Sequence, residues 1–180
     1  MSDAREKYFH DVGNLVTMWN TAEAGMKSLV ALFAGIAPEY EDFITCHLNN
    51  MALVNCLKEL AKKRIEQEHT LAQVMLVADY FDACRQNRNA LAHATFGING
   101  VEVAENIIEF SKAAKNDRPS KSVKTELHRI ELVAHEMRTC INLIEFTNEA
   151  FKGYFSEPKV SPSQSYYMLM HRYNVPETIK

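Results

Sequence analysis

Apolar side chains recur every three or four positions over most of this chain, the spacing that gathers them on one side of an α-helix. Phe9, Val12, Val16, Trp19, Met26, Leu29, Val30 and Phe33 form the first such stripe, and Gly35 and Pro38 punctuate its end. A second runs through Phe43, His47, Met51, Val54, Leu57, Ala61 and Ile65. The third opens at Thr70-Leu-Ala-Gln73, a capping-box pattern, and continues through Val74, Val77, Phe81, Cys84 and Leu91. A fourth, starting near Ser122, repeats Leu127, Ile130, Val133, Met137, Ile141, Ile144 and Phe151. Helices of about 23 to 32 residues would be about 35 to 48 Å long at the usual rise. Long helices joined by short links predict an all-α fold, an antiparallel four-helix bundle.

The periodicity lapses between the third and fourth helices. Thr95-Phe-Gly-Ile98, Asn99-Gly100 and Val101-Glu-Val103 predict a small β-hairpin, because Asn-Gly favours the positive φ angles of the tight turn. Ile107-Ile-Glu-Phe110 is a candidate for one more short strand. Next comes a basic stretch holding Lys112, Lys115, Arg118, Lys121 and Lys124 against the single acid Asp117. It suits a phosphate backbone and would equally suit a solvated loop. Periodicity ends after about residue 153, and the chain divides into a helical domain, 1–155, and a C-terminal tail, 156–180. The tail carries Pro158, Pro162 and Pro176.

Composition narrows the class of protein. The 180 residues are 47% hydrophobic and 24% charged, an ordinary soluble globular balance, long enough to bury a core without metal or disulfide staples. The net charge of −3 argues against a protein permanently coated in nucleic acid. No apolar run reaches the ~20 residues of a membrane span, and the opening MSDAREKYFHD has no signal-peptide core, so the expected location is the cytoplasm. Cys46, Cys56, Cys84 and Cys140 are scattered, with no C-x-x-C pair, and read as reduced core thiols. His128, Glu131 and His135 share one side of the fourth helix, but the paired Glu-x-x-His motifs of a di-metal bundle are missing. No metal and no cofactor are expected. Gly-rich phosphate loops, G-x-S-x-G and H-E-x-x-H do not occur.

One segment stands out. Arg85-Gln-Asn-Arg88-Asn89-Ala-Leu-Ala-His93-Ala-Thr-Phe-Gly97 closes the third helix. One turn beyond Cys84, the apolar stripe lands on Arg88, an arginine aimed at the core or at a partner, where burial is costly unless the charge is paired. Glu23, near Trp19 and Asn20 on the first helix, is a plausible counter-charge. Arg-to-His spacing alone is uninformative. Arg5 precedes His10, and Arg64 precedes His69, at the same interval, and Arg129 precedes His135 at one more. Only the Arg88 copy has Asn beside the arginine, Ala-Leu-Ala before the histidine, and a place late in a strongly apolar helix.

In that context Arg88-Asn89-Ala-Leu-Ala-His93 resembles the R-polar-x3-H motif of the HEPN superfamily. The resemblance covers about ten residues and the helical architecture around them. It implies a HEPN-like four-helix domain, and metal-independent endoribonuclease activity at a homodimer interface, in the setting of a toxin–antitoxin or stress-defence system. The implied partners are RNA and a protein antitoxin or nucleotidyltransferase-type protein. The alternative is a catalytically inactive HEPN-like binding or assembly module.

The residue types fit RNA transesterification. When the 2′-OH attacks phosphorus, His93 could move a proton near neutral pH, and Arg88 could grip two phosphate oxygens of the pentavalent state. Asn89, four residues before His93, could orient the imidazole or donate to phosphate. Residues five apart on a helix are ~140° apart around its axis, so Arg88 and His93 can cooperate only if the helix end departs from regularity. One motif supplies one imidazole, and a symmetric dimer would supply the second.

Overall fold

The computed structural model describes residues 2–92, 94–95, 107–112, 121–156 and 173–178. The body is helical. α1 spans Ser2–Ala34, a 3-10 turn Pro38–Tyr40 leads into the short α2 Glu41–Thr45, and α3 Asn50–Arg64, α4 Glu68–Ala92 and α5 Leu127–Ser156 follow. Between α4 and α5 lie β1 Ala94–Thr95, β2 Ile107–Lys112 and β3 Lys121–Glu126. They form one antiparallel sheet in the order β1-β2-β3, with Ala94 opposite Lys112 and Lys112 opposite Lys121. The turn predicted at Asn99-Gly100 falls within 96–106, outside the described residues.

α1 ends on a glycine. Gly35 sits at φ +72°, and the Ile36 amide reaches back to the Ala31 carbonyl (2.9 Å), closing the helix with a left-handed cap that costs glycine nothing. α1 and α5 run in the same direction. Lys7 pairs with Glu131 (2.6 Å), Asn148 Nδ2 donates to the Gly25 carbonyl (3.2 Å), and Phe33 meets Phe151 with ring centroids 4.9 Å apart. The two helices can close on each other at Gly25 because it lacks a Cβ, which would stand 2.9 Å from the Ile144 side chain. α4 runs against α5, since Tyr80 lies by Thr139 while Asn87 lies by Glu136.

A uniformly antiparallel arrangement is therefore incorrect. The cause is the link after α1. It is not a tight turn but a returning segment, tied alongside α1 by Ser28 Oγ donating to Glu41 Oε2 (3.2 Å). α3 then ends near the ends of α1 and α5, where the Arg64 guanidinium lies 5.0 Å from the Phe155 ring centroid.

Three further expectations need correction. The predicted second helix is two helices, because Asn49 starts α3 afresh, its side chain accepting from the Ala52 amide (2.9 Å). Phe43, on the separate α2, is consequently 78% exposed rather than core. The Thr70–Gln73 capping box does not form. The Leu71 amide already bonds the Gln67 carbonyl (2.9 Å), so Thr70 lies inside α4 and its hydroxyl donates to the Gln67 side chain (3.1 Å). The fourth long helix begins at Leu127 and not near Ser122, because 121–126 pairs with β2 as a strand.

The core gathers Leu15, Trp19, Met26, Leu29 and Phe33 of α1, Leu53 and Leu57 of α3, Val74, Val77 and Phe81 of α4, and Ile130, Met137, Ile144 and Phe151 of α5. Among the cysteines, Cys84 and Cys140 are buried, while Cys46 is exposed and Cys56 half-buried, so only two of the four are core thiols. All four are free. Among the described residues no helix is long and apolar enough to cross a membrane.

Candidate functional site

The end of α4 meets the middle of α1. Trp19 is fully buried, with its indole tilted against Phe81 at a centroid distance of 4.7 Å. The Arg88 guanidinium lies over the same indole, 5.1 Å from the Trp19 ring centroid. A cation over an indole is attracted by the ring quadrupole, roughly 0.5–2 kcal/mol depending on how dry the site is. Trp19 Nε1 donates to Glu23 Oε2 (3.1 Å), and Glu23 Oε1 takes the Lys27 ammonium (3.0 Å). Among the described residues Glu23 forms its ion pair with Lys27 and not with Arg88.

Glu23 still acts on Arg88 at longer range. Burial lowers the Arg88 pKa, and the charge of Glu23 opposes that shift. A guanidinium stays protonated through such a shift. Its Nη1 donates to Asn89 Oδ1 (2.7 Å), and its buried Nε has no hydrogen-bond partner among the described residues. A buried donor without an acceptor costs about 1–3 kcal/mol. Arg88 is thus a half-buried cation, held in place by an indole and an amide, with donor capacity left unused.

The same geometry reassigns Asn89. Its carbonyl oxygen accepts from Arg88. Asn89 therefore holds the arginine, a role that adjacency in sequence did not suggest. His93 lies outside the described residues, between the end of α4 at Ala92 and the start of β1 at Ala94. The other three arginine–histidine pairs differ from this one. Arg64 and Arg129 are exposed, and the side chain of His10 is 73% exposed.

The basic stretch is not one loop. Lys112 ends β2, and Lys121 and Lys124 lie in β3, while Lys115 and Arg118 fall within 113–120, outside the described residues. The backbone register puts Ala94, Lys112 and Lys121 in one cross-strand row, directly after position 93, and Lys124 opposite Glu109. The strand signal was present, since Val123 and Thr125 are β-branched, but lysines dominated the pattern.

Asn87 was missed by sequence reasoning. It is 1% exposed, and its amide donates to the Glu177 carbonyl (3.0 Å) and, at 3.4 Å, to Glu136 Oε2. Burial pushes the Glu136 carboxyl above its usual value of 4.5, with the Asn87 amide working against that rise. The folded protein then holds the Glu136 proton more tightly than the unfolded chain does. The associated stability is fully present below the usual carboxylate range and is lost as pH rises through the raised value. Glu136→Gln keeps an acceptor for Asn87 and removes the charge, so it is expected to raise the melting temperature at neutral pH. For a group this exposed the gain stays below about 1 kcal/mol, or roughly 2–4 °C. Thermal melts between about pH 4 and pH 7 should show the gain shrinking as pH falls.

The buried Cys84 thiol supplies no nucleophile. Cys84 Sγ donates to the Glu136 carbonyl (3.7 Å), and its hydrogen bond with Cys140, together with burial, drives its pKa far up. Only the thiolate is reactive. A groove of about 440 Å³ lies between α1 and α5, lined by Asp11, Asn14, Thr17, Glu131 and Arg138 among others, and Arg88 and Asn89 take no part in it. Among the described residues no group of three His, Cys, Asp or Glu side chains could hold a metal ion. Glu131 is instead paired with Lys7, and His135 is exposed.

Comparison with protein-family models, curated proteins and solved structures finds no match to this chain.

Proposed function

We propose that this chain is a HEPN-like, metal-independent endoribonuclease that works as a homodimer, with Arg88, Asn89 and His93 at the interface. In this mechanism the substrate 2′-OH attacks the adjacent phosphorus and displaces the 5′-oxygen. His93 accepts the hydroxyl proton, and the imidazole of a second copy protonates the leaving oxygen. Arg88 donates to the non-bridging oxygens as charge builds on them, and Asn89 keeps its guanidinium in one orientation. Lys112 and Lys121 would hold the flanking phosphate backbone beside the motif, with Lys115, Arg118 and Lys124 extending that basic surface.

The observation that carries this proposal is the state of Arg88. It is a half-buried cation fixed on Trp19 and Asn89, outside any ion pair among the described residues, with a donor unsatisfied. A purely structural arginine in a core is expected to sit against a carboxylate. Here the nearby carboxylate is committed to Lys27 and Trp19. An anion arriving at Arg88 would complete it.

One observation favours a second reading, a catalytically inactive HEPN-like module for binding or assembly. Asn89 Oδ1 accepts from Arg88, which commits part of its acceptor capacity to the arginine rather than to positioning an imidazole. Incubating the purified protein with RNA in excess chelator separates the two. Cleavage under those conditions is expected. Intact RNA at every protein concentration would favour the assembly module.

A further inference from the structure

The far end of the chain returns to the motif. Residues 173–178 have no regular secondary structure, yet they lie against the helical body. Tyr173 packs against the hydrophobic core, and the Glu177 carbonyl accepts the Asn87 amide. Asn87 immediately precedes Arg88. The segment thus covers the seam between α4 and α5 where Asn87 and Glu136 meet, at the turn of α4 that presents Arg88 and Asn89.

Two features make this contact an attachment rather than part of the core. The bond at Glu177 is to main chain, so it holds the strand without demanding a side chain there. Asn174, Val175 and Glu177 are exposed, and Tyr173, Pro176 and Thr178 are only half-buried, so no residue of the segment is fully enclosed by the body. Segments with few buried contacts open at much lower free energy than the domain as a whole. Beneath the segment, Asn87 is almost completely buried. A buried amide must keep its partners or meet water, so its environment has two distinct states, covered by the segment or wet.

We propose that residues 173–178 form a detachable strap whose docking on Asn87 orders the last turns of α4 and thereby sets how firmly Arg88 and Asn89 are held. The regulatory meaning of the strap rests on Arg88 belonging to the functional site proposed above. The mechanical coupling between strap and helix end does not.

Amide hydrogen exchange on the full-length chain tests the coupling. Tyr173→Asp introduces a charge where the ring packs against the core, and should release the strap. Exchange is then expected to rise by about tenfold or more in 84–92, as well as in 173–178, while protection across 15–33 is unchanged. Asn87→Ala removes the receiving amide and should give the same pattern from the other side. Faster exchange in 173–178 with none in 84–92 would overturn the coupling. Loss of protection throughout α1 in both variants would make the segment an integral part of the fold and overturn a detachable strap. No change anywhere in either variant would overturn the docking itself. RNA cleavage is not the readout, so an inactive wild-type protein would count against the ribonuclease and leave this result standing.

Discussion

Trp19→Ala is expected to destabilise the protein by about 3–5 kcal/mol, the range for removing a large aromatic ring from a packed core. Trp19 has no solvent exposure, so the whole indole is lost from the interior. Three contacts go with it, the tilted Phe81 ring, the Arg88 guanidinium and the hydrogen bond to Glu23. A domain's total stability is about 5–15 kcal/mol, so the variant should sit close to unfolding. Urea titration followed by far-ultraviolet circular dichroism measures it, because Trp19 is the sole tryptophan and its fluorescence disappears with the substitution. Trp19→Phe keeps a ring under Arg88 and loses only the N–H and some volume. It should recover most of the stability. If the phenylalanine and alanine variants are equally unstable, the Glu23 hydrogen bond matters more than packing.

His93→Ala should lower RNA cleavage by roughly 10²–10⁴-fold, the usual cost of losing a general acid–base group. In the proposed homodimer the effect would be larger, since one substitution removes both the base and the acid. Arg88→Lys should also fail. An ammonium is a point charge that cannot span two phosphate oxygens, and it would leave Asn89 without its present donor geometry. His10→Ala and His69→Ala are built-in controls, since each follows an arginine at the same interval as His93. Neither should change the rate appreciably. Far-ultraviolet spectra of all four variants should match the wild type.

The sequence revealed those features that depend on one helix at a time. Arg88 stood out because the stripe Phe81, Cys84, Leu91 passes through its position, and a cation in an apolar stripe is anomalous. It offered Glu23 as the counter-charge, but Glu23 pairs with Lys27 and the cation lies over Trp19 instead, because the register between helices is a tertiary property. Asn87 was invisible for a related reason. A polar residue between apolar positions reads as solvent-facing, and its partner Glu177 lies ninety residues away. The split of the second helix at Asn49 had a local signal, a good N-cap residue, but the apolar positions on either side continued the three-four spacing and masked it. Helix direction was legible least of all. Short links imply antiparallel neighbours, and only the returning segment after Gly35 makes α1 and α5 parallel.

The chemistry at Arg88 and His93 is tested most directly by the ends of the RNA fragments. With the 2′-OH as the proposed nucleophile, wild-type protein in excess chelator should leave 2′,3′-cyclic phosphates on the upstream products, and His93→Ala should leave almost none. Fragments ending in a free 3′-hydroxyl, cleavage that requires a divalent metal, or cyclic-phosphate products formed at the wild-type rate by His93→Ala would contradict the mechanism.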